Sequence, residues 1–344
     1  MVSGDRKKSR ATLLDVARRA NVSRATASLV IRNSPLVGAA TRSRVEAAME
    51  ELGYVYNMGA ARLRAERSQT VGVIVPNLTN PFFAELLAGI ESVVDAAGMV
   101  VLLANSADQV DRQNTLVRRM REHGVDGTIV CPAAGTGVEL FERLADWGLP
   151  LVQVLRHFSA QADYAGVDYA GGMRQAVDYL SSLGHERIAF AVHGPVHPAY
   201  QERVDGFRDA MCSHGHDASM IVRVPSKIAQ IAEATQLLFE QKAEPTAVIC
   251  FNDVIALGLA AGLYDRGIAI GRDLSLVGFD DVTDAEAVRP RLTSVSTMPV
   301  AIGENAARLL LERLADPALQ PRRLVNRTTL HIRQSCGPAA VLTL

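Results

Sequence analysis

Apolar residues recur at helical spacing in three short windows near the start of the chain. The windows are Leu13, Val16, Ala17, Ala20, then Ala27, Val30, Ile31, and then Val45, Ala48, Met49, Leu52. Residues three and four positions apart share one face of a helix, so each window predicts an amphipathic helix of about 8 to 12 residues. Together the windows predict a small helical domain over residues 11–56.

Residues that cap helices stand where these three helices should begin. Thr12 lies three residues before Asp15, which is the spacing of a capping box, and Ser23 directly precedes Arg24, where the second helix is expected to begin. Thr41 stands at the head of the third window, which is expected to end at Gly53. Each predicted helix therefore has its own start signal.

After residue 68 the pattern changes to short apolar runs separated by amphipathic segments. The runs are TVGVIVP, MVVLLAN, DGTIVCP, PLVQVL, RIAFAVH, TAVICFND and LSLVGFDD. Strands that are apolar on both faces and alternate with segments such as FAELLAGIESVVDAAG are typical of a parallel sheet covered by helices. About ten such strands predict two doubly wound α/β lobes in residues 69–340.

Ligands of doubly wound folds bind at the carboxyl ends of the strands. The side chains that follow predicted strands are therefore the first candidates for a binding site in this part of the chain. They are Asn77, Pro81, Phe82, Phe83, His157, residues 193–197, Asn252, Asp253, Asp280 and Asp281.

Charge is distributed unevenly along the chain. The formal net charge is −1, but residues 1–68 carry a net charge of +7 and the remaining residues carry −8. A basic segment is either a solvated tail or a surface for a polyanion. The helical periodicity of residues 11–56 favours the second reading, and only residues 1–10 are expected to form a disordered basic tail.

Cysteine spacing and hydropathy exclude several classes of protein. Cys131, Cys212, Cys250 and Cys336 lie far apart without a Cys-x-x-Cys pair, so neither a disulfide framework nor a zinc cluster is predicted. The longest apolar run has ten residues, whereas a membrane span needs about 18. No export signal is recognised at the N-terminus, and a cytoplasmic protein is expected.

Two helices joined by the short turn in ARRANVSRAT, with a third packed against them, describe a helix-turn-helix. If Ala27, Val30 and Ile31 face inward, the opposite face of the second helix presents Arg24, Ala25, Ser28, Leu29 and Arg32.

The side chains on this outer face are suited to DNA. Arginine can bond the O6 and N7 atoms of guanine, and alanine can approach a thymine methyl group. The short hydroxyl side chains Ser23, Thr26 and Ser28 are suited to phosphates. This face is predicted to enter the major groove of double-stranded DNA.

With these features, residues 11–64 resemble the DNA-binding head of the lactose/galactose repressor family of bacterial transcription regulators. The resemblance continues through TVGVIVPNLTNPFFAELLAGIE, RVDGF, TAVICFND, LSLVGFDD and LTSVS, in the family's order, and so covers almost the whole chain. It implies a transcriptional regulator, most often a repressor, that binds a near-palindromic operator as a homodimer.

The resemblance also implies roles for individual residues of the head. It implies that the DNA backbone is contacted by Thr12, Ser23, Thr26, Ser28 and Asn57. It also implies that bases are contacted by Arg24 and Ala25. Residues 57–64 correspond to a hinge helix that includes Ala60 and inserts Leu63 into the minor groove, and an apolar wedge of this kind unstacks and bends DNA. Two positions depart from the family pattern: Leu29 stands where arginine is common, and Arg32 where asparagine is common. An operator that differs from the common half-site is therefore expected.

In the body, the resemblance is to periplasmic sugar-binding proteins, whose two lobes enclose a small molecule. It implies that Arg203, Asn252 and Asp280 hold polar groups of an effector. Aromatic and lining residues follow from the same resemblance: Phe82, Phe83, Arg156, His197 and Phe251. A sugar or sugar derivative is expected, because guanidinium and carboxylate groups each bind two hydroxyls at once. A nucleobase, a nucleoside or another metabolite remains the alternative.

Other functional classes find less support in the sequence. No Walker lysine loop, Gly-x-Ser-x-Gly elbow or His-Glu-x-x-His motif is present, so no enzyme and no cofactor are predicted. The pairs His193/His197 and His214/His216 lack further ligands, and no metal site is expected. Asp280 and Asp281 resemble paired catalytic carboxylates but are interpreted as a ligand-binding residue and a neighbour that shapes the loop. An effector-independent DNA-binding protein and a purely periplasmic binding protein are the remaining alternatives.

The expected domain organisation follows from these elements. A helix-turn-helix domain over residues 11–56 is followed by a hinge helix and linker over 57–68 and by the effector-binding and dimerisation domain over 69–340. The first lobe is predicted to comprise about 69–168 and 298–322. The second lobe is predicted to comprise about 169–297 and 323–340.

Overall fold

The computed structural model describes residues 11–31, 34–54, 68–241 and 244–339, and the chain divides into two compact units after Ser68. The predicted tail, residues 1–10, and the predicted hinge helix, residues 57–64, lie outside the described residues. The first unit contains three helices: α1 (Leu13–Arg19), α2 (Arg24–Ile31) and α3 (Ala39–Glu51). The predicted helical head is therefore confirmed.

The head is held by a small core formed by the predicted apolar faces. Val16, Ala27 and Val45 are fully buried, and they come one from each helix. Helix α1 begins in a capping box, where the Asp15 N–H donates to Thr12 Oγ1 and the Thr12 N–H donates to the Asp15 carboxylate. Ser23 caps α2, since its Oγ accepts the Thr26 N–H at 3.0 Å. In the first two helices, both the capping residues and the buried residues are therefore those that the sequence predicted.

The predicted start of the third helix at Thr41 is wrong. Helix α3 begins at Ala39 after Gly38, which makes no side-chain capping bond, and Thr41 lies within the first turn. The two alanines before Thr41 favour helix strongly enough to extend it without a cap. The helix has 13 residues and is followed by Gly53 at φ +59°, a left-handed conformation that glycine adopts without strain.

The second unit contains two six-stranded sheets with helices on both faces. Its strands are β1 (Thr70–Val75), β2 (Val100–Asn105), β3 (Gly127–Val130), β4 (Leu151–Val154), β5 (Asp163–Val167), β6 (Ile188–Val192), β7 (Ile221–Arg223), β8 (Ala247–Cys250), β9 (Ser275–Asp280), β10 (Thr293–Ser296), β11 (Arg323–Asn326) and β12 (Thr329–His331). Its helices are α4 (Pro81–Ala96), α5 (Val110–Glu122), α6 (Glu139–Asp146), α7 (Tyr169–Ser182), α8 (Pro198–Ser213), α9 (Ile228–Glu233), α10 (Asp253–Asp265), α11 (Asp284–Ala287) and α12 (Pro299–Ala315). The predicted pair of α/β lobes is confirmed.

The strand orders are β11-β5-β4-β3-β1-β2 in the first lobe and β12-β10-β9-β8-β6-β7 in the second. All pairs are parallel except β10 with β12. The chain passes between the lobes after β5, after β10 and after β11. Because a doubly wound sheet presents its loops at the carboxyl ends of its strands, these ends define the edge where a ligand site is expected in each lobe.

The predicted third crossing between the lobes, at residues 322/323, is wrong by four residues. Strand β11 pairs with β5 in the first sheet, and the chain crosses only between Asn326 and Thr329. The buried carboxylate of Asp163 fixes this edge, since it accepts bonds from the Arg313 side chain and the Arg322 N–H. That anchor is 150 or more residues distant in the chain and so leaves no local pattern.

Helices α4 and α12 approach each other closely enough to require glycine at two places. A Cβ atom on Gly89 would lie 2.0 Å from the Val300 carbonyl oxygen, and one on Gly303 would lie 2.1 Å from the Leu86 carbonyl oxygen. The first turn of α4 is set by Asn80, whose side chain accepts the Phe82 N–H at 3.0 Å. This packing fixes the position of the two phenylalanines at the start of α4.

The pattern of both-face burial fails at the sheet edge. Strand β2 is the last strand of its sheet, and there the side chain of Val100 is 62% exposed and that of Leu102 is 36% exposed. Among the same residues, none of the helices is long and apolar enough to cross a membrane.

Candidate functional site

One face of α2 is small, polar and accessible, while the other is packed against the head. Arg24 and Ala25 are exposed, Ser28 and Leu29 are half-buried, and Ala27 and Val30 are buried. The two faces follow the predicted division of the helix. Arg32, Asn57, Ala60 and Leu63, for which DNA contacts were also predicted, lie outside the described residues.

The hydroxyl groups predicted to meet DNA phosphates already take part in helix caps. Thr12 Oγ1 donates to the Asp15 carboxylate at 2.6 Å, and bonds from Thr12 hold the pKa of Asp15 below its usual value. Ser23 Oγ and Thr26 Oγ1 lie 2.9 Å apart. A hydroxyl oxygen that shares a hydrogen atom with one partner still has lone pairs for another, so these caps orient the groups at the start of each helix.

A cleft of about 670 Å³ lies between the two lobes of the body, at the carboxyl ends of both sheets. Its volume is in the range of sites for small organic ligands. All eight residues predicted to bind the effector line it: Phe82, Phe83, Arg156, His197, Arg203, Phe251, Asn252 and Asp280. The structure therefore brings together side chains that are up to 198 positions apart in the sequence.

Arg203 of α8 is the most enclosed cation of the cleft. Its guanidinium carbon lies 3.8 Å from the centre of the Tyr169 ring, 4.5 Å from that of Phe251 and 4.7 Å from that of Phe279. Its Nη1 donates to the Ala199 carbonyl oxygen, whereas its buried Nε has no bonding partner among the described residues. Aromatic faces attract a desolvated guanidinium and restrict its plane, so the remaining N–H groups keep a fixed direction.

Asp280 stands opposite Arg203 at the end of β9. Its carboxylate lies 3.7 Å from Arg203 Nη2, and burial raises its pKa to about 7 despite the nearby guanidinium. The backbone of Asp280 has φ +106°, a conformation that side chains rarely adopt. Asp280 can therefore present either an ionised or a protonated carboxyl group to a ligand near neutral pH.

The neighbouring Asp281 has other partners. It accepts bonds from His331 Nδ1 and Arg333 Nη1, each at 2.6 Å. It does not line the cleft. These two bonds hold Asp281 in the loop that follows β9.

Asp253 is a structural residue whose role the sequence did not reveal. Its buried carboxylate accepts bonds from Ser294 Oγ at 2.6 Å and from the Val282 N–H at 2.8 Å, and burial raises its pKa well above the usual value. A Cβ atom on Gly278 would lie 2.0 Å from this carboxylate. Asp253 thus stabilises the loop that carries Asp280, through its bond to the Val282 N–H.

Asn252 and His197 both cap helices that begin at the cleft. Asn252 Oδ1 accepts the Ile255 N–H, and its Nδ2 lies 3.4 Å from His193 Nε2. His197 Nδ1 accepts the Tyr200 N–H at 3.1 Å, so a neutral ring carries its proton on Nε2. Burial, followed by nearby arginines, lowers the pKa of His193 to about 4 and that of His197 to about 2.

The first lobe contributes an ion pair and two aromatic rings. Arg156 Nη1 lies 2.5 Å from Asp108 Oδ1 and also donates to the Pro132 carbonyl oxygen. No sequence pattern pointed to Asp108, because it follows β2 in a loop, at φ +56°, and belongs to no recognisable motif. Phe82 and Phe83 pack edge to face, with ring centres 5.4 Å apart. The cleft thus combines fixed polar groups with aromatic surfaces, as sites for polar ligands do.

Comparison with family models identifies both units of the chain. Residues 12–57 match the model of bacterial regulatory proteins of the lacI family, and residues 177–336 match that of a periplasmic binding protein-like domain. The first match covers the helical head, and the second falls within the body that contains the cleft.

Individual proteins are similar over nearly the full length. The chain is 33% identical to the HTH-type transcriptional repressor PurR of Vibrio atlanticus (strain LGP32) over 333 residues, which cover 93% of this chain and 98% of the relative. A transcriptional regulator CelR–cellobiose complex is 30% identical with a TM-score of 0.71, covering 95% and 100% of the two chains. The lac repressor dimer bound to operator and the anti-inducer ONPF is 25% identical with a TM-score of 0.85, covering 96% and 100%.

Proposed function

The chain belongs to the LacI family of bacterial regulatory proteins, and on that premise we propose that it is a DNA-binding transcriptional repressor controlled by a small molecule. One observation carries the proposal: a head whose α2 exposes Arg24 and Ala25 occurs in the same chain as a cleft lined by Arg203 and Asp280. The head recognises the operator, and the cleft binds the effector. No catalytic step and no cofactor belong to this function.

DNA recognition is assigned to the exposed face of α2. Arg24 reads a base in the major groove, while Ala25 allows the helix to approach closely. The hydroxyls of Thr12, Ser23, Thr26 and Ser28 contact the backbone, and the half-buried Leu29 provides an apolar contact. Because the head is strongly basic, much of the affinity comes from phosphates and falls with salt. The DNA target places the protein in the cytoplasm.

The effector is assigned as a sugar or sugar derivative. Arg203 Nε has no bonding partner among the described residues, the carboxyl group of Asp280 can accept or donate a hydrogen bond, and His197 offers its Nε2–H. Hydroxyl groups of a sugar can satisfy all three, and Phe82 and Phe251 supply apolar faces for its C–H groups. The similar CelR complex contains cellobiose, which supports this class.

The repressor is proposed to act as a homodimer, because one head spans one half of a near-palindromic operator. The second lobe offers an apolar surface for a second copy beside α10 and α11. There Tyr264 is 82% exposed, and it borders a groove with Leu257, Ile268 and Val288. Effector binding changes the angle between lobes and thereby the operator affinity. This coupling is reciprocal, so operator changes effector affinity by the same factor.

Two measurements on the full-length protein test the function. Operator binding is followed by fluorescence anisotropy on duplexes selected from a near-palindromic library, at about 50 and 200 mM salt, and we expect a loss of affinity of at least tenfold. An operator affinity that does not change with salt contradicts the assignment of the head as the DNA-binding domain.

Thermal shifts with cellobiose, ribose and adenine then probe the cleft, and any compound that shifts the melting temperature is added to the operator assay. Intact DNA binding without any thermal shift favours an effector-independent regulator, and a shift with adenine alone favours a nucleobase effector.

A further inference from the structure

A hydrogen-bonded contact joins the two lobes beside the cleft. Glu85, in the second turn of α4, accepts two bonds on Oε1, from the Thr283 N–H and from Thr283 Oγ1, each at 3.1 Å. The two residues are 198 positions apart and belong to different lobes. Glu85 lies one turn after Phe82, and Thr283 lies three residues after Asp280, so the contact connects the segments that carry these two cleft residues.

Within its own lobe, the loop Asp280–Thr283 is held from two sides. The Val282 N–H bonds to the buried Asp253, and Asp281 bonds to Arg333. Asp280 and Asp281 both have positive φ angles, so this loop follows a path that the chain does not favour by itself. Such a path persists only when surrounding contacts determine it, and Glu85 supplies one such contact from the opposite lobe.

We infer that Glu85 is a positioning residue for the effector cleft: through Thr283 it holds the Asp280 loop against the first lobe and so stabilises the closed arrangement of the lobes. The inference rests on the proposed function for its biological meaning. It deepens that function by naming a contact that must break if the lobes separate at this point. Hinge closure commonly depends on a small number of such contacts across a cleft.

The carboxylate of Glu85 also acts on Asp280 through its charge. Burial raises the pKa of Asp280 first, Arg203 lowers it, and Glu85 raises it further. The other charged or titratable groups around Asp280 are Asp253 on α10, Tyr169 on α7 and the adjacent Asp281, which is paired with Arg333. Glu85 therefore has two separable effects on the loop, one through hydrogen bonds and one through charge.

Three variants of the full-length, ligand-free protein separate these effects. Glu85→Ala removes both, Glu85→Gln keeps an acceptor oxygen without the charge, and Glu91→Gln is the matched control, since Glu91 is exposed on the same helix. Hydrogen exchange of the Thr283 amide reports the bond. We expect exchange at least tenfold faster in Glu85→Ala, a rate within about threefold of the unmodified protein in Glu85→Gln, and no change in Glu91→Gln. Unchanged exchange in Glu85→Ala overturns the inference.

A pH titration distinguishes positioning from general structural support. The carboxyl carbon of Asp280 is followed by NMR in protein labelled with ¹³C at the aspartate carboxyls and is assigned with Asp280→Asn. In Glu85→Gln the midpoint is expected to fall by at least half a pH unit, because a negative neighbour has been removed. An unchanged midpoint overturns the proposed effect of the Glu85 charge on Asp280.

Small-angle scattering should also show a larger radius of gyration for Glu85→Ala, and an unchanged radius contradicts the role of Glu85 in closure of the lobes. None of these readouts involves DNA or effector, so their failure is distinguishable from failure of the proposed function.

Discussion

The guanidinium carbon of Arg203 lies 3.8 Å from the centre of the Tyr169 ring. Tyr169 begins α7, whereas Arg203 lies in the second turn of α8, so the contact is made across two neighbouring helices of the second lobe. The rings of Phe251 and Phe279 complete the enclosure. The cation is therefore held by aromatic contacts before any ligand arrives, and its Nε–H, which has no partner in the part of the chain that the structure describes, has a defined direction.

Arg203→Lys tests this arrangement because lysine keeps the charge but cannot stack as a plane. We expect a loss of about 1 to 2 kcal/mol in the free energy of unfolding and at least tenfold weaker binding of any ligand found in the thermal-shift screen. Urea denaturation and calorimetric titration measure the two effects. Arg208→Lys is the control, since Arg208 is exposed on the same helix. Equal stability of the two variants would contradict the stacking.

Removal of the Thr12 hydroxyl should loosen the head. In Thr12→Ala the capping box is lost, and the first helix is expected to be less stable by about 1 kcal/mol. Hydrogen exchange of the amides of residues 15–20 in the full-length protein measures this change. Thr41→Ala should cost less than about 0.5 kcal/mol, because Thr41 lies inside α3 and does not cap it. A larger effect at Thr41 than at Thr12 would restore the original prediction for the third helix.

Arg24→Ala should weaken operator binding unevenly across DNA sequences. We expect a loss of about 1 to 3 kcal/mol on the preferred operator and relaxed discrimination at one base pair. Titrations against operators substituted at each position measure both quantities. Arg266→Ala removes an exposed positive charge from the body and serves as the control for net charge. An equal loss on every sequence would assign Arg24 to the phosphate backbone instead.

Asp280 should make stability depend on pH in a defined window. Burial raises its pKa from 3.8 to about 7, so between these values the folded protein keeps a proton that the unfolded chain has released. Its stabilising contribution is therefore complete below the lower value and is lost as the pH rises through the higher one. Relative to Asp280→Asn, the unmodified protein should lose up to about 4 kcal/mol of unfolding free energy across this window.

Urea unfolding at pH 4, 5.5, 7 and 8 measures this difference. His193 and His197 titrate in the opposite sense, but both proteins contain them, so their contributions largely cancel. Asp209→Asn, at an exposed position of α8, should run parallel to the unmodified protein. A constant difference between Asp280→Asn and the unmodified protein across the four pH values would disprove the raised pKa.

Residues close together in the chain made much of the fold predictable. The helical spacing of apolar residues within the three windows that contain Val16, Ala27 and Val45 indicated three helices, and the cap at Thr12 follows from a partner three residues away. Local patterns also misled: Thr41 looked like a cap, and β2 looked buried on both faces. In both cases the residue types were right for the prediction, but the neighbours supplied by packing were different.

In the candidate cleft, too, some residues were predictable from the sequence and others were not. Polar residues after strands pointed to Asp280 and Asn252, because parallel strands carry their ligand residues at one end. No pattern pointed to Asp108 or Glu85, whose partners Arg156 and Thr283 are 48 and 198 positions away. Their importance comes only from proximity in space.

By itself, the sequence determined the helical head, the two α/β lobes and the residues at the carboxyl ends of their strands, because hydrophobic periodicity and helix caps act over a few positions. Tertiary structure decided which of those residues share one cleft, how burial changes their protonation, and where the chain crosses between lobes. These properties depend on desolvation and on contacts between distant segments. A short stretch of sequence contains neither.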